Sequence, residues 1–230
     1  LIPYLAGIPL RIKHEYNYAP ERDYSFLFIH VPLDRKAHWV ERNMDLLKVL
    51  KVKIDNEPIE YDFYITKEEK ARVEKLLKSL GYQDGKLTVG FHLRGHERKE
   101  WDLEKFALLG EKLFHEYNAQ IIIFGGKEEK NLAKLITKKM SFKPIILIDK
   151  CTLGETAAAI EKCDFFITNN SGLMHIGVAM KVPTLALFEG YDPHETGPYG
   201  KIHISIRKEP INAIEVDEVM EVIKKWQKIG

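Results

Sequence analysis

The chain has 230 residues, 45% of them hydrophobic, enough for one large domain or one and a half of ordinary size. Its 35 basic and 34 acidic residues leave a net charge of +1, which gives no general attraction to a polyanion, so nucleic acid is not an expected partner. Cys151 and Cys163 are too few for a disulfide framework and read as buried thiols of a reducing compartment, no apolar run reaches the ~18–20 residues of a membrane span, and no signal peptide is recognisable.

Residues 1–58 carry few regular signals. Phe26 to Ile29 is a candidate short strand, His38 to Leu50 has Val40, Met44, Leu47 and Leu50 at helical intervals, and Asn56-Glu57-Pro58 reads as a linker. From there strands and helices alternate. Tyr61 to Ile65 reads as a strand. Thr66 and Glu69 form a capping-box pair ahead of a helix with Val73, Leu76, Leu77 and Leu80 on one face, which Gly81 ends. Leu87 to His92 is a strand. Asp102 is the expected cap of a helix whose stripe is Leu103, Phe106, Leu113, Phe114 and Tyr117. Ile121 to Phe124 is a strand, Leu132, Leu135 and Ile136 mark a helix, Ile145 to Ile148 a strand, Glu155 to Glu161 a helix and Phe165 to Thr168 a strand. A helix opens at Ser171, a strand spans Thr184 to Phe188, and a last helix runs near Val216 to Gln227. Apolar strands alternating with amphipathic helices predict an α/β fold, a Rossmann-like parallel sheet flanked by helices. No Gly-x-Gly-x-x-Gly follows any strand, which weakens a nicotinamide or flavin reading.

In such a sheet, ligands bind beyond the carboxyl ends of the strands. Four exits are therefore of interest. The stretch Asn169-Asn170-Ser171-Gly172-Leu173-Met174-His175 is a small-residue turn between strand and helix; it aims backbone N–H groups and the positive helix end at a cleft, an anion site for which phosphate is the usual occupant. The plain alternative is a Ser-capped helix. At Gly125-Gly126-Lys127-Glu128-Glu129, glycines permit a close backbone approach, and a carboxylate beyond them can accept from both ribose hydroxyls; the alternative is a helix-start carboxylate complementing the dipole. The loop from His92 to Trp101 is cation-rich. His92 and His96 lie on a loop with no carboxylate or thiol to complete a tetrahedral set, so no metal is expected, and Trp101 reads as a core anchor. Glu189 to Gly200 reads as a shaped loop, with Asp192 capping locally and Tyr199 and Gly200 fixing its course.

Four blocks, 7–12, 92–101, 125–129 and 169–200, together resemble glycosyltransferase family 9, the ADP-heptose:lipopolysaccharide heptosyltransferases. The resemblance implies the C-terminal, donor-binding half of a GT-B enzyme at residues 59–230, with 1–58 a remnant of the N-terminal acceptor domain and linker and roughly the first hundred family residues absent. It implies inverting, metal-free transfer of heptose from an ADP-heptose-like donor to a lipopolysaccharide core sugar, without a cofactor, in the cytoplasm or peripherally at the inner membrane. By the same resemblance, Lys99 falls on the lysine that contacts the donor diphosphate, and a flexible point cation suits a leaving phosphate. Arg94 and Gly95 fall on small hydroxyl residues of some members, which opens a new Arg94–phosphate contact. Gly125 and Glu129 fall on the ribose-binding turn. Ser171, Gly172 and Leu173 offer N–H groups to the diphosphate, and His175 orients a phosphate or packs under the turn. Two departures stand out: the family Asp falls on Asn170, whose amide keeps a hydrogen bond to a sugar hydroxyl but not a charge, and the family Gly-Pro-Thr falls on Glu189-Gly190-Tyr191. The resemblance places the catalytic base on an Asp of the N-terminal domain, in the part expected to be absent, and the sequence points to no base among the residues here. The rival expectations are a nucleotide-sugar binding module inactive without its other half, and a related GT-B transferase with another sugar.

Overall fold

Consecutive apolar residues with no alternation, as in Gln120-Ile121-Ile122-Ile123-Phe124, become strands buried on both faces. The computed structural model describes residues 2–15, 28–52 and 59–227. The chain divides into two compact units, Leu1–Ile59 with His194–Thr196, and Glu60–Pro193 with Gly197–Gly230.

In the first unit, α1 (Ile2–Leu5) precedes two parallel strands, β1 (Ile12–His14) and β2 (Ile29–Val31). The strand expected at Phe26 to Ile29 thus starts at Ile29; Phe26, Leu27 and the linker Asn56 to Pro58 lie outside the described residues. Helix α2 (Trp39–Asp45) opens on a capping box of His38 and Glu41 and tightens into a 3₁₀ turn, Leu46–Leu50, where a single longer helix was expected.

The second unit holds a six-stranded parallel sheet in the order β5-β4-β3-β6-β7-β8. Its strands are β3 (Thr88–His92), β4 (Gln120–Phe124), β5 (Ile145–Ile146), β6 (Phe165–Asn169), β7 (Thr184–Phe188) and β8 (Ile204–Arg207). Its helices are α3 (Lys67–Ser79), α4 (Leu103–Tyr117), α5 (Lys130–Thr137), α6 (Leu153–Ile160), α7 (Gly172–Ala179) and α9 (Val216–Gln227); of the short α8 (Pro193–Thr196), the last three residues belong to the first unit. The pleat sends Val89, Phe91, Ile121, Ile123, Ile167 and Leu185 to one face, under α4, α5 and α9. It sends Ile122, Phe124 and Phe166 to the other, under α3 and α6. Glycines let elements close: a Cβ on Gly177 of α7 would lie 2.7 Å from Thr184 Oγ1 and 2.8 Å from the Phe166 ring.

Three expectations are corrected. Residues 61–65 form no strand; Lys181 Nζ donates to the Tyr61 carbonyl at 3.0 Å, and the segment leads into the Thr66–Glu69 capping box. Asp102 stands at the N-cap of α4 without a side-chain cap bond; its own N–H donates to Asn212 Oδ1 at 2.8 Å. The strand expected at Ile145 to Ile148 stops at Ile146, although the Leu147 N–H still reaches the Ile123 carbonyl. Strand β8 and the Thr152–Glu155 capping box of α6 had no reading in the sequence.

Candidate functional site at the strand exits

The strand order reverses between β3 and β6, where chains leave the sheet in opposite directions and open a crevice at its carboxyl edge. The β3 and β6 exits meet there. Asn169, fully buried, clamps them: its Nδ2 donates to the Leu93 carbonyl at 2.6 Å and its Oδ1 accepts from the Trp101 N–H at 3.0 Å. The His96 N–H adds a bond to the Asn170 carbonyl at 2.8 Å. Trp101 is the expected anchor, 1% exposed, with its indole N–H on the Ile214 carbonyl at 2.9 Å. Sequence reasoning treated Asn169 only as part of the turn; a buried amide that ties two loops leaves no periodic signal.

At the β6 exit the cap question has a clear outcome. Ser171 has the extended backbone of an N-cap residue (φ −158°, ψ 167°), but its side chain makes no cap bond. Its Oγ lies instead 3.1 Å from His92 Nδ1 and 3.1 Å from Thr168 Oγ1. The first turn of α7 therefore presents N–H groups of Gly172 and Leu173 that the Ser171 side chain does not cap. Gly172 is exposed, and a Cβ built on it would meet nothing within 4 Å. His175, one turn on, is exposed, with its ring 6.3 Å from that of Tyr61, edge to face; Tyr61 in turn lies 6.3 Å from Tyr199. Burial, and then the neighbouring Tyr199, raise the Tyr61 pKa.

The β3 exit brings charge. Lys99 Nζ lies 3.6 Å from Glu97 and 5.2 Å above the Tyr191 ring. A Cβ on Gly190 would fall 2.5 Å from that Nζ, and φ of +79° at Gly190 suits glycine, so the lysine lies directly on this backbone. Tyr191 bonds Glu97, which lowers the Glu97 pKa and raises that of Tyr191. The ring beneath Lys99 was not anticipated. Glu189, the other departure, ties down the loop by accepting from the Ile211 N–H at 2.6 Å. Gly95 has ordinary φ (−109°) but no room for a side chain: a Cβ would sit 2.0 Å from the Lys99 carbonyl oxygen. Arg94 is not a lone cation. Its Nη1 pairs with Glu100 at 3.2 Å and its Nε lies 4.0 Å from Glu129.

At the β4 exit Glu129 is 9% exposed, and its Oε2 has no hydrogen-bond partner among the described residues. That oxygen faces the double glycine: a Cβ on Gly125 would lie 3.1 Å from it, and one on Gly126 3.4 Å. Glu129 occupies the N-cap position of α5 without a side-chain cap bond, so the hydrogen-bonded cap is not formed. His92 Nε2 is 3.9 Å from its Oε1. Burial, and next the Arg94 charge, press the His92 pKa down to about 4, so the imidazole is neutral near pH 7 and this contact is not an ion pair.

Both thiols are free. Burial holds the Cys151 pKa up at about 11 and raises that of Cys163 as well, so neither is a ready nucleophile. Among the described residues no three His, Cys, Asp or Glu cluster as a metal site would require, and no helix is long and apolar enough to cross a membrane.

Comparison with known proteins adds an independent line. The model of glycosyltransferase family 9 (heptosyltransferase) matches residues 1–226. A lipooligosaccharide heptosyltransferase 2 of Campylobacter jejuni is 27% identical over 191 residues, which are 76% of this chain and 57% of that protein, so the chain spans little more than half the length of this relative. Among solved structures, a family 9 glycosyl transferase from Veillonella parvula superposes with a TM-score of 0.85 at 24% identity, covering 99% of this chain and 70% of that one. The ADP-heptose LPS heptosyltransferase II of E. coli superposes with a TM-score of 0.79 at 22% identity, covering 100% and 73%. At these identities the superpositions establish the α/β fold, not a substrate.

Proposed function

The chain belongs to glycosyltransferase family 9, and from that premise we propose that it binds the nucleotide of an ADP-heptose-like donor in the crevice beyond β3, β4 and β6 and serves the inverting transfer of heptose to a lipopolysaccharide inner-core sugar. The observation that carries this reading is the open first turn of α7. A helix start whose Ser171 hydroxyl is turned aside, and whose Gly172 leaves open space, is built to receive an anion. The diphosphate lies on the N–H groups of Gly172 and Leu173, with His175 beside it. Lys99 neutralises the charge that grows as the nucleotide leaves, and the Gly190 backbone and Tyr191 ring hold its stem. The Glu129 carboxylate, one oxygen unpartnered beside Gly125 and Gly126, accepts from the ribose hydroxyls. Arg94 holds Glu100 and stands next to Glu129, which places it at the edge of the ribose site. The Asn170 amide meets a sugar hydroxyl without charge. The acceptor hydroxyl also needs a base, and we assign none of these residues to it.

A lipopolysaccharide acceptor implies work in the cytoplasm, peripherally at the inner membrane. A narrower reading is a domain that binds the donor without transferring it.

Calorimetric titration with ADP, UDP and adenosine, on the wild type and Lys99→Ala, tests the site. ADP binding that weakens about 10-fold or more in the variant is expected from loss of a charge-assisted contact, with adenosine unaffected. Preference for UDP, or ADP binding indifferent to Lys99, refutes the assignment. Incubation with ADP-heptose and an inner-core acceptor then separates transfer, with inversion read from the product's anomeric signals, from binding alone.

A further inference from the structure

We propose that His92 is a positioning residue of this site: through Nδ1 it holds the Ser171 hydroxyl off the start of α7 and so leaves the first-turn N–H groups to a ligand. The inference rests on the donor-site reading above. His92 is the last residue of β3 and is 6% exposed, and it lies between the two exits that would hold the two halves of a nucleotide.

The hydrogen-bond network selects the tautomer. Thr168 Oγ1 donates to the Asn169 carbonyl at 2.7 Å, so toward Ser171 it is an acceptor. Ser171 Oγ has Thr168 Oγ1 and His92 Nδ1 as neighbours, each at 3.1 Å. Ser171 therefore donates its one proton to Thr168 Oγ1 and accepts from Nδ1–H, so the neutral ring carries its proton on Nδ1. Nε2 is then an unprotonated nitrogen 3.9 Å from Glu129 Oε1, beyond hydrogen-bond reach. A serine at this position ordinarily bonds the N–H groups of the following turn. Here it is drawn toward His92 and Thr168, and those N–H groups are left for a ligand. One buried imidazole thereby keeps the phosphate end open.

Two substitutions test this role. His92→Leu leaves Ser171 without its ring donor, and His92→Asn keeps a side-chain donor near the Nδ1 position. Each is made on the wild type and on Ser171→Ala, which has no hydroxyl to cap the helix. The probes are inorganic pyrophosphate for the helix start and ADP for the whole site, with thermal melting of each variant as a measure of fold. On the wild type, His92→Leu weakens both probes by about 10-fold or more and His92→Asn retains them; on Ser171→Ala, His92→Leu has no further effect. A His92→Leu variant that binds like the wild type overturns the proposal, and so does an equal loss with and without the Ser171 hydroxyl. Should His92→Leu fail to fold, His92→Asn decides alone, and its loss of pyrophosphate overturns the proposal. A wild type that binds neither ADP nor pyrophosphate refutes the donor site and this inference with it, whereas a wild type that binds ADP regardless of residue 92 refutes only this inference.

Discussion

Gly172→Ala separates stability from binding at the proposed phosphate turn. Gly172 is the first residue of α7, and a Cβ there meets nothing within 4 Å, so the unliganded chain gives no steric reason for glycine. Alanine at a compatible helical position restricts the unfolded chain and stabilises by about 0.4–1 kcal/mol. In a domain of this size that corresponds to a rise in Tm of about 1–4 °C. The same methyl group occupies the space in front of the Gly172 and Leu173 N–H groups, where a phosphate oxygen must come within roughly 3 Å. Loss of one charge-assisted bond, at about 1.5–3 kcal/mol, lowers ADP affinity about 10- to 150-fold. Thermal melting and calorimetric titration on one preparation read both quantities. A variant that melts higher and still binds ADP as the wild type does would refute the placement of phosphate at α7. A variant that melts lower would show that the space is not open.

At the β3 exit the opposite glycine gives the opposite result. Gly95→Ala puts a Cβ 2.0 Å from the Lys99 carbonyl oxygen, well inside the ~3.4 Å of ordinary contact, so backbone must move by more than 1 Å. Lower Tm and ADP affinity reduced by roughly 10-fold or more are expected together, and an unperturbed variant would disprove the packing. Trp101→Phe removes the indole bond to the Ile214 carbonyl, but Lys105 Nζ also reaches that oxygen at 2.9 Å, so it keeps a partner. The loss should be about 1–2 kcal/mol by urea denaturation, and a loss above 4 kcal/mol would mean that the β3 loop depends on more than this anchor. Acid should destabilise the fold through His92. Its pKa falls from 6.5 to about 4 on folding, so the unfolded chain binds the extra proton, and stability drops by roughly 2 kcal/mol from pH 7 to pH 4.5. His203, depressed to about 4 by burial and then by Lys181, acts in the same direction. Urea melts of His92→Asn should show a shallower pH dependence, and an identical slope would refute the assignment.

The architecture was largely legible in the residues because its strands are buried on both faces. Runs such as Ile121 to Phe124 and Phe165 to Thr168 have no polar position to spare, and Thr66 with Glu69 marked a helix start by local hydrogen bonding alone. Where burial is partial the pattern weakened. Residues 61–65 have the composition of a strand and form none, whereas β8, with three half-buried positions, pairs with β7. The placement of Lys99 and the Ser171–Gly172 turn after β3 and β6 was legible because small residues and cations concentrate at strand exits. That the Ser171 hydroxyl does not cap its helix and that Tyr191 lies beneath Lys99 were not legible, since each joins the β3 exit to a different strand exit, and the Arg94–Glu100 pair depends on how the β3 loop folds back on itself.

The sequence alone determined the alternation of apolar strands and amphipathic helices, the parallel sheet that follows from it, and the positions of small residues and cations at the strand ends, because these depend on spacing and composition within a few turns of chain. Only the tertiary structure decided the strand order, the reversal between β3 and β6, and the partners of His92, Arg94, Asn169 and Glu129. Those contacts join residues 6 to 79 positions apart, and their geometry depends on how the sheet is wound rather than on any local preference.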